Sequence, residues 1–354
     1  MRQRFLVSIG VLMMVILAVA LMSIPAAGQT PAPKPAAGPA KAASTAKPWA
    51  PPKTPWGDPD LQGIYTSDDY IGVGLQRNAQ FGDRLYLSEQ EIAQRESQIA
   101  NQAKNDLVET VADTARAGTG PPGHWGERAR RPAKQTSLIV DPPDGRFPEL
   151  TPEARTRTIP AGAGVADPRP DSWEDFSYYI RCITRGVTGS IYPVIYGNGT
   201  QIVQAPGFVA IFHEMVHEAR IIPLDGRPHA GQNIRMYMGD SRGRFEGNTL
   251  VVETTNFLDK KTAVQGGNGG AGPPTTDALR LVERFTRISP DTINYEVTID
   301  DPKTYTKPFK VAFPIAQEPG YQNFEYACHE GNHAMFNSLS GARALEKAEA
   351  TGSK

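Results

Sequence analysis

Two neighbouring stretches in the second half of the chain alternate apolar and polar residues, which is the pattern of a β-strand with one buried face. They are residues 281–288 (LVERFTRI) and 293–299 (INYEVTI), and the turn-forming residues 289–291 (SPD) separate them. Similar short β-rich runs, bounded by turns, recur between residues 191 and 328. Because the connections are short, the strands are expected to pair antiparallel. Many such strands with almost no helix between them predict a closed barrel or a sandwich.

The N-terminus has the pattern of a secretory signal peptide. Arg2 and Arg4 precede an apolar run at residues 5–22, and small residues follow at positions 26–28. Residues 1–28 are therefore predicted to be a signal peptide, with an uncleaved membrane anchor as the alternative. Residues 29–54 are rich in Pro, Ala and Lys, which predicts a disordered tether. The chain is expected to be exported, periplasmic or secreted, and to touch a membrane only through an uncleaved signal segment, if at all.

The rest of the chain divides into two regions by composition. Residues 55–170 are predicted to be a loop-rich N-terminal wrap with one surface helix. This helix begins at residues 88–91 (SEQE), which match a capping box, and continues to about residue 111. Residues 171–354 are predicted to be the β-barrel-like core, ending in a short helix at about residues 340–348. The predicted fold class is mainly β: an antiparallel barrel-like core with a few peripheral helices and long loops.

Charge and cysteine content narrow the function. The formal net charge is −1 and no basic block is present, which argues against nucleic acid as a partner. The only two cysteines are Cys182 and Cys328, and in an exported protein they are expected to form a disulfide. A thiolate nucleophile or a metal ligand is the alternative role. A disulfide would bring His329 close to Arg181.

Residues 213–217 (HEMVH) spell H-E-x-x-H, a motif that binds zinc when it lies on a helix. On a helix, His213 and His217 would share a face and Glu214 would be a base. The flanking residues favour a strand, on which the two imidazoles would lie ~13 Å apart and could not bind one ion together. The third histidine of zinc proteases, about six residues beyond the motif, is absent. On a strand, the two histidines would form a binding or acid-base surface inside the barrel, or lie outside it in solvent.

A second H-E-x-x-H motif occupies residues 329–333 (HEGNH). Gly331 and Asn332 disfavour a helix interior and favour a turn. If the disulfide holds this turn over the barrel, His329 and Glu330 lie at its rim, where ligand contacts are common. The alternative is a hydrogen-bonded structural turn.

Other side chains are candidates for ligand binding. Arginines can hold a carboxylate or a phosphate by a two-pronged contact, and aromatic rings can stack on a ligand. Salt bridges and core packing are the alternative roles for the same side chains. The candidates are Arg181, Arg185, Arg220, His229 and Tyr326. Residues 239–243 (GDSRG) match G-x-S-x-G, but no strand–helix unit surrounds them, so a hairpin turn is predicted instead of a serine nucleophile.

Four segments resemble a large, uncharacterised family of exported bacterial proteins. They are residues 55–63 (PWGDPDLQG), 222–229 (IPLDGRPH), 239–252 (GDSRGRFEGNTLVV) and 326–332 (YACHEGN). The resemblance covers most of the mature chain and implies export, but no particular reaction. The strand-rich second half is similar to lipocalin-like (calycin) barrels.

The leading hypothesis is an exported barrel that holds a small organic ligand in a histidine and carboxylate pocket. The alternative is a hydrolase or lyase that uses acid-base chemistry, since histidine titrates near neutral pH. Its candidate catalytic residues are His217, His329, Glu214 and Glu330. A divalent metal such as zinc is a candidate cofactor, bound by His213, His217, His229 or His329. A third hypothesis is an envelope interaction module. The sequence specifies neither the ligand nor the oligomeric state.

Overall fold

A computed structural model describes residues 49–105, 126–157, 170–258 and 275–352. The predicted signal peptide and most of the predicted tether lie outside these residues. Within the described ranges, no helix is both long and apolar enough to span a membrane.

The described residues form a nearly closed antiparallel β-barrel, which confirms the predicted fold class. The strands are β1 (Gly63–Thr66), β2 (Ile139–Asp141), β3 (Thr200–Ala205), β4 (Phe208–His213), β5 (Glu218–Pro223), β6 (Asp240–Glu246), β7 (Thr249–Thr255), β8 (Arg280–Ser289), β9 (Thr292–Asp300) and β10 (Phe309–Gln317). Their order around the barrel is β5-β4-β3-β1-β10-β9-β8-β7-β6, and β2 pairs with β10 outside this path. Strand β1, from the predicted wrap, thus lies within the barrel sheet.

The barrel closes by side-chain packing between β5 and β6. Nine strands in the described chain follow one another with antiparallel pairing, so the first and last strands of the path run in the same direction. At this seam, a Cβ atom on Gly243 would lie 2.8 Å from side-chain atoms of both Ile222 and Leu224. Glycine is therefore required there for the two strands to approach each other.

The centre of the barrel is filled by aromatic side chains. Phe285 on β8 lies opposite Tyr295 on β9, with ring centres 5.1 Å apart. Tyr295 in turn lies opposite Phe313 on β10, with ring centres 5.5 Å apart. These rings are fully buried, and burying one large apolar side chain stabilises a fold by roughly 1.5–3 kcal/mol. Because the centre is packed, a ligand site is better sought at an end of the barrel.

The described chain has four α-helices, of which the short third one is buried and the other three are largely exposed. They are α1 (Glu89–Asn105), α2 (Pro152–Thr156), α3 (Gly186–Gly189) and α4 (Ala334–Ala350). The predicted capping box at the start of α1 is confirmed: Ser88 N donates to the Glu91 carboxylate at 2.7 Å, and Glu91 N donates to Ser88 Oγ at 3.3 Å. Helix α4 begins earlier than predicted, because the Asn332 side chain accepts a hydrogen bond from Ala334 N at its first turn.

Candidate functional site

The segment 213–217 forms a tight turn at one end of the barrel. His213 is the last residue of β4 and pairs with both Thr200 on β3 and Glu218 on β5. Residues 215–217 are kinked instead of regularly helical, and Val216 and His217 have φ angles of 65° and 44°. Few non-glycine residues adopt such angles. The prediction that this motif lies on a strand is therefore wrong, and these residues do not form the helix of a zinc protease either.

A C-terminal strap, residues 321–328, crosses this turn. The Tyr321 hydroxyl donates a short hydrogen bond to the Glu214 carboxylate, and His217 Nδ1 lies 3.1 Å from the carbonyl oxygen of Tyr326. A Cβ atom on Gly199 would clash with Glu214 and Asn323, so only glycine lets the strap lie this close. The segment carrying the first histidine motif is thus in direct contact with the segment that leads to the second.

The predicted disulfide is confirmed, and it anchors the end of the strap. Cys182 and Cys328 are bonded, and Asn332 Nδ2 donates to the carbonyl oxygen of Ile180 at 3.0 Å. His329 and Glu330 follow the bridge, and both are exposed. Neither of their side chains has a hydrogen bond or ion pair to another described residue. In the described chain, neither candidate is thus held in a polar site at the barrel end.

Five side chains that act on one another form a group that we call the Arg185 pocket: Arg185, Tyr179, Tyr196, Tyr326 and His213. Arg185 is 5% exposed, and its guanidinium carbon lies 5.1 Å from the centre of the Tyr179 ring. No carboxylate pairs with Arg185 anywhere in the described ranges, and its Nε has no hydrogen-bond partner there. Burial lowers the pKa of Arg185, but an arginine keeps its charge in proteins.

The three tyrosines bring neutral hydroxyl groups to this cation. The rings of Tyr196 and Tyr326 stack with centres 6.0 Å apart and planes 19° apart. The Tyr196 hydroxyl acts on both Tyr179 and Tyr326 and contributes to the raised pKa of each. Burial is the main reason why the pKa values of Tyr179 and Tyr326 lie above the usual value for tyrosine. Both therefore remain protonated and can donate hydrogen bonds.

His213 completes the pocket as a buried, neutral imidazole. Its ring is fully buried, and Nδ1 lies 3.3 Å from Thr200 Oγ1. Nε2 has no partner among the described side chains. Burial, followed by the positive charges of Arg220 and Arg185, lowers the pKa of His213 to about 3. His213 is therefore uncharged at neutral pH and offers one unused ring nitrogen.

Because His213 is buried as a neutral imidazole, it is expected to make the free energy of unfolding depend on pH. Between its usual pKa of 6.5 and its folded pKa of about 3, the unfolded chain binds a proton that the folded chain does not. The free energy of unfolding is expected to fall by up to ~1.4 kcal/mol for each pH unit as the pH drops through this window. Denaturant unfolding of the protein and of His213→Asn, from pH 4 to 7, measures this slope. His217→Asn, at an exposed histidine, is the control and is expected to keep the full slope. An equal slope in His213→Asn and the wild type would contradict the assignment.

The other arginine candidates are already engaged. Arg220 is buried and makes a two-pronged ion pair with Glu283, at 2.7 and 3.0 Å. Arg181 lies over the Trp173 ring, 4.4 Å from its centre. Within the described chain, Arg185 is the only one of the three predicted arginines whose guanidinium makes no ion pair and does not lie over a tryptophan ring.

His229 belongs to a different cleft. Its Nδ1 lies 2.9 Å from Asp240 Oδ2, and its Nε2 lies 3.8 Å from Glu253 Oε1. This cleft has a volume of about 590 Å³ and is also lined by Arg235 and Asn256. An Asp–His pair of this kind orients the imidazole, but neither H-E-x-x-H segment lines the cleft.

A pair of carboxyl groups beside Glu214 was not predicted from the sequence. Asn198 Nδ2 donates to Asp68 Oδ1 at 2.7 Å and to Glu127 Oε2 at 2.9 Å. Burial first, and then the neighbouring Glu127, raise the pKa of Asp68 to about 8. Burial also raises the pKa of Glu214, against the hydrogen bond from Tyr321. No spacing in the sequence links these residues, because the barrel brings together segments that are far apart along the chain.

The predicted metal site gains no support from the geometry. Over the residues that the structure describes, no three His, Cys, Asp or Glu side chains come together in an arrangement that could hold a metal ion. His213 is buried beneath the strap, His217 is exposed, and His229 pairs with Asp240. A zinc ion at these histidines stays a prediction from the motif.

The fold is a nearly closed antiparallel barrel, which is compatible with a calycin-like protein. Comparison of the chain with protein-family models, with curated protein sequences and with solved structures gives no match. The function is therefore inferred from the contacts of the barrel end itself.

Proposed function

We propose that this protein is an exported β-barrel that binds a small polar organic molecule at the Arg185 pocket. The observation that carries the proposal is a pair of buried polar groups without partners, Arg185 Nε and His213 Nε2. Most buried polar groups in proteins are hydrogen-bonded. Other buried polar atoms of the described chain also lack a partner, but these two belong to side chains that act on each other electrostatically. A ligand with hydrogen-bond acceptors would satisfy Arg185 and could also bond to the neutral imidazole.

The position of the pocket supports the proposal. Small-molecule sites are often found in the mouths of β-barrels, and here the centre of the barrel is packed with aromatic rings. Tyr326 of the strap belongs to this group, and the disulfide ties the end of the strap to Cys182, close to Arg185 in sequence. A disulfide of this kind is also consistent with export, because such bonds persist in oxidising compartments.

A thermal-shift and calorimetric experiment tests the proposal. The purified protein is incubated with small organic molecules grouped by charge, size and aromatic character. Members of one group are expected to raise Tm in a saturable way, because a ligand that binds the folded state stabilises it. They are also expected to bind in calorimetry with a stoichiometry of one. If no group binds, the proposal is rejected.

Two matched tyrosine variants locate the site in the same experiment. Tyr196→Ala removes a ring that stacks in the pocket and is expected to weaken binding about tenfold. Tyr86→Ala removes a ring that is 63% exposed and is expected to leave affinity unchanged. Equal binding by the two variants would place the ligand elsewhere.

Acid-base catalysis is the second candidate function. The observation that favours it is the Glu214 carboxyl group, whose pKa is raised by burial and which accepts a hydrogen bond from Tyr321 beside the exposed His217. A carboxyl group that holds its proton more tightly is better suited to act as a general acid near neutral pH. Mass spectrometry of a bound ligand after incubation separates the two functions, because only an enzyme changes its mass.

A further inference from the structure

The charge balance of the Arg185 pocket is not neutral. Arg185 contributes one positive charge, and the titratable side chains that raise its pKa within the described residues are the phenols of Tyr179, Tyr196 and Tyr326. His213 is uncharged, as its low pKa requires. The pocket therefore contains a buried cation and no anion.

Two carboxylates of the barrel have other partners. Glu283 is held by both terminal nitrogens of Arg220. Glu218 accepts a hydrogen bond of 2.5 Å from Thr184 Oγ1, one residue before Arg185. Within the described residues, none of the groups that act on Arg185 is a carboxylate. These two acidic residues therefore do not compensate the charge of this guanidinium.

An uncompensated buried cation is costly for a protein to maintain. Removing a charge from water carries a large penalty, and a protein normally offsets it with an ion pair. Here the described fold offers Arg185 an aromatic face and hydroxyl groups in place of a carboxylate. A site whose buried cation has no anionic partner in the free protein is complementary to a ligand that carries a negative charge.

We propose that the Arg185 pocket binds the oxyanion group of a small organic acid, a carboxylate or a phosphate. This inference rests on the proposed function and names the chemical class of its ligand. The planar guanidinium can donate two parallel hydrogen bonds to two oxygens of the anion. The phenol groups of Tyr196 and Tyr326 both act on Arg185, and a phenol can donate one further hydrogen bond to an anion held there.

A matched pair of probes tests the charge requirement. Benzoate and benzamide have the same shape and differ in charge, and inorganic phosphate tests the alternative oxyanion. Calorimetry is carried out at constant ionic strength with sodium chloride as the balancing salt. Benzoate or phosphate is expected to bind with a stoichiometry of one, at least tenfold more tightly than benzamide. Equal affinities for benzoate and benzamide, with no binding of phosphate, would overturn the inference.

Substitutions of Arg185 test the residue. Arg185→Gln is expected to weaken binding of the anion about 100-fold, because a charge-assisted pair in a buried site is lost. Arg185→Lys keeps the charge but loses the two-pronged contact, and an intermediate loss is expected. Arg181→Gln, four residues earlier and stacked on Trp173, is the matched control and is expected to bind as the wild type does. Anion binding that is unchanged in Arg185→Gln would refute the assignment.

The Tm of the ligand-free protein distinguishes a binding role of Arg185 from a structural role. If Arg185 serves to bind an anion, Arg185→Gln removes an uncompensated buried charge and is expected to raise the Tm of the free protein. A structural arginine would show a lowered Tm instead, and that outcome would also overturn the inference.

If benzamide or another neutral molecule binds the wild type and Arg185→Gln equally while anions do not bind, the ligand class is wrong but the proposed function stands. If neither anions nor neutral molecules bind, both fail.

Discussion

Replacing Glu283 with Gln is expected to lower the free energy of unfolding by about 3–5 kcal/mol. Glu283 is fully buried inside the barrel, accepts two hydrogen bonds from Arg220 and accepts one from the Tyr295 hydroxyl at 3.1 Å. The amide of Gln cannot balance the Arg220 charge, which then stays buried without an anion. Denaturant unfolding monitored by circular dichroism measures the change, provided that the slope of the transition is the same in both proteins.

Two further variants show whether the effect comes from the lost charge. The double variant Arg220→Met with Glu283→Leu replaces the pair by apolar groups and is expected to recover much of the stability, since buried ion pairs are often no better than a packed apolar pair. Glu246→Gln affects an ion pair with Arg284, the residue next to Glu283 but on the exposed face of β8. Solvent screens that pair, so little change is expected. A loss in Glu283→Gln no larger than that in Glu246→Gln would contradict the buried-pair argument.

The barrel could be predicted from the sequence because the alternation of apolar and polar residues is visible within each strand by itself. In residues 281–288, every second side chain from Leu281 to Phe285 points inward, as the alternation required, and Glu283 falls on this inward face. A buried charge at Glu283 was nevertheless not predicted. The pattern could not identify Arg220 as the partner either, because β5 and β8 are not neighbours and meet only across the nearly closed barrel.

The turn at residues 214–217 could not be predicted from local preference. Val216 is β-branched and adopts a positive φ, which its own conformational preference opposes. The contacts that hold this turn come from Tyr321 and from Tyr326, more than a hundred residues further along the chain. Strand propensity favoured the wrong structure, and tertiary contacts overrode it.

The candidate site was only partly visible in the sequence. The disulfide and Tyr326 were identified, because cysteine pairing and aromatic character are properties of single residues. Arg181 and Arg220 were the preferred arginines, and Arg185 was named only beside them. Of the three, Arg185 is the one that is both buried and without a carboxylate partner in the described chain. Such an absence depends on where Glu218 and Glu283 point in the folded barrel, and no sequence spacing encodes it.

Removing the disulfide is expected to have the second large effect. Cys182 and Cys328 are 146 residues apart. For a loop of this length the chain-entropy model gives about 5 kcal/mol, and measured losses usually fall within roughly 2–5 kcal/mol. The double variant Cys182→Ser with Cys328→Ser is therefore expected to unfold at a markedly lower denaturant concentration. Because the bridge anchors the strap over the Arg185 pocket, the same variant is also expected to bind its ligand more weakly.

Reduction of the wild type is the control for the serine substitutions. A reducing agent is expected to lower the stability of the wild type to that of the double variant and to leave the double variant unchanged. This comparison separates loss of the covalent link from any effect of the hydroxyl groups at the half-buried Cys328 and the buried Cys182. An oxidised wild type no more stable than the double variant would mean that the strap is held by its hydrogen bonds alone, namely those between Tyr321 and Glu214 and between Tyr326 and His217. Weaker ligand binding with a stable barrel would instead show that the bridge acts on the pocket more than on the fold.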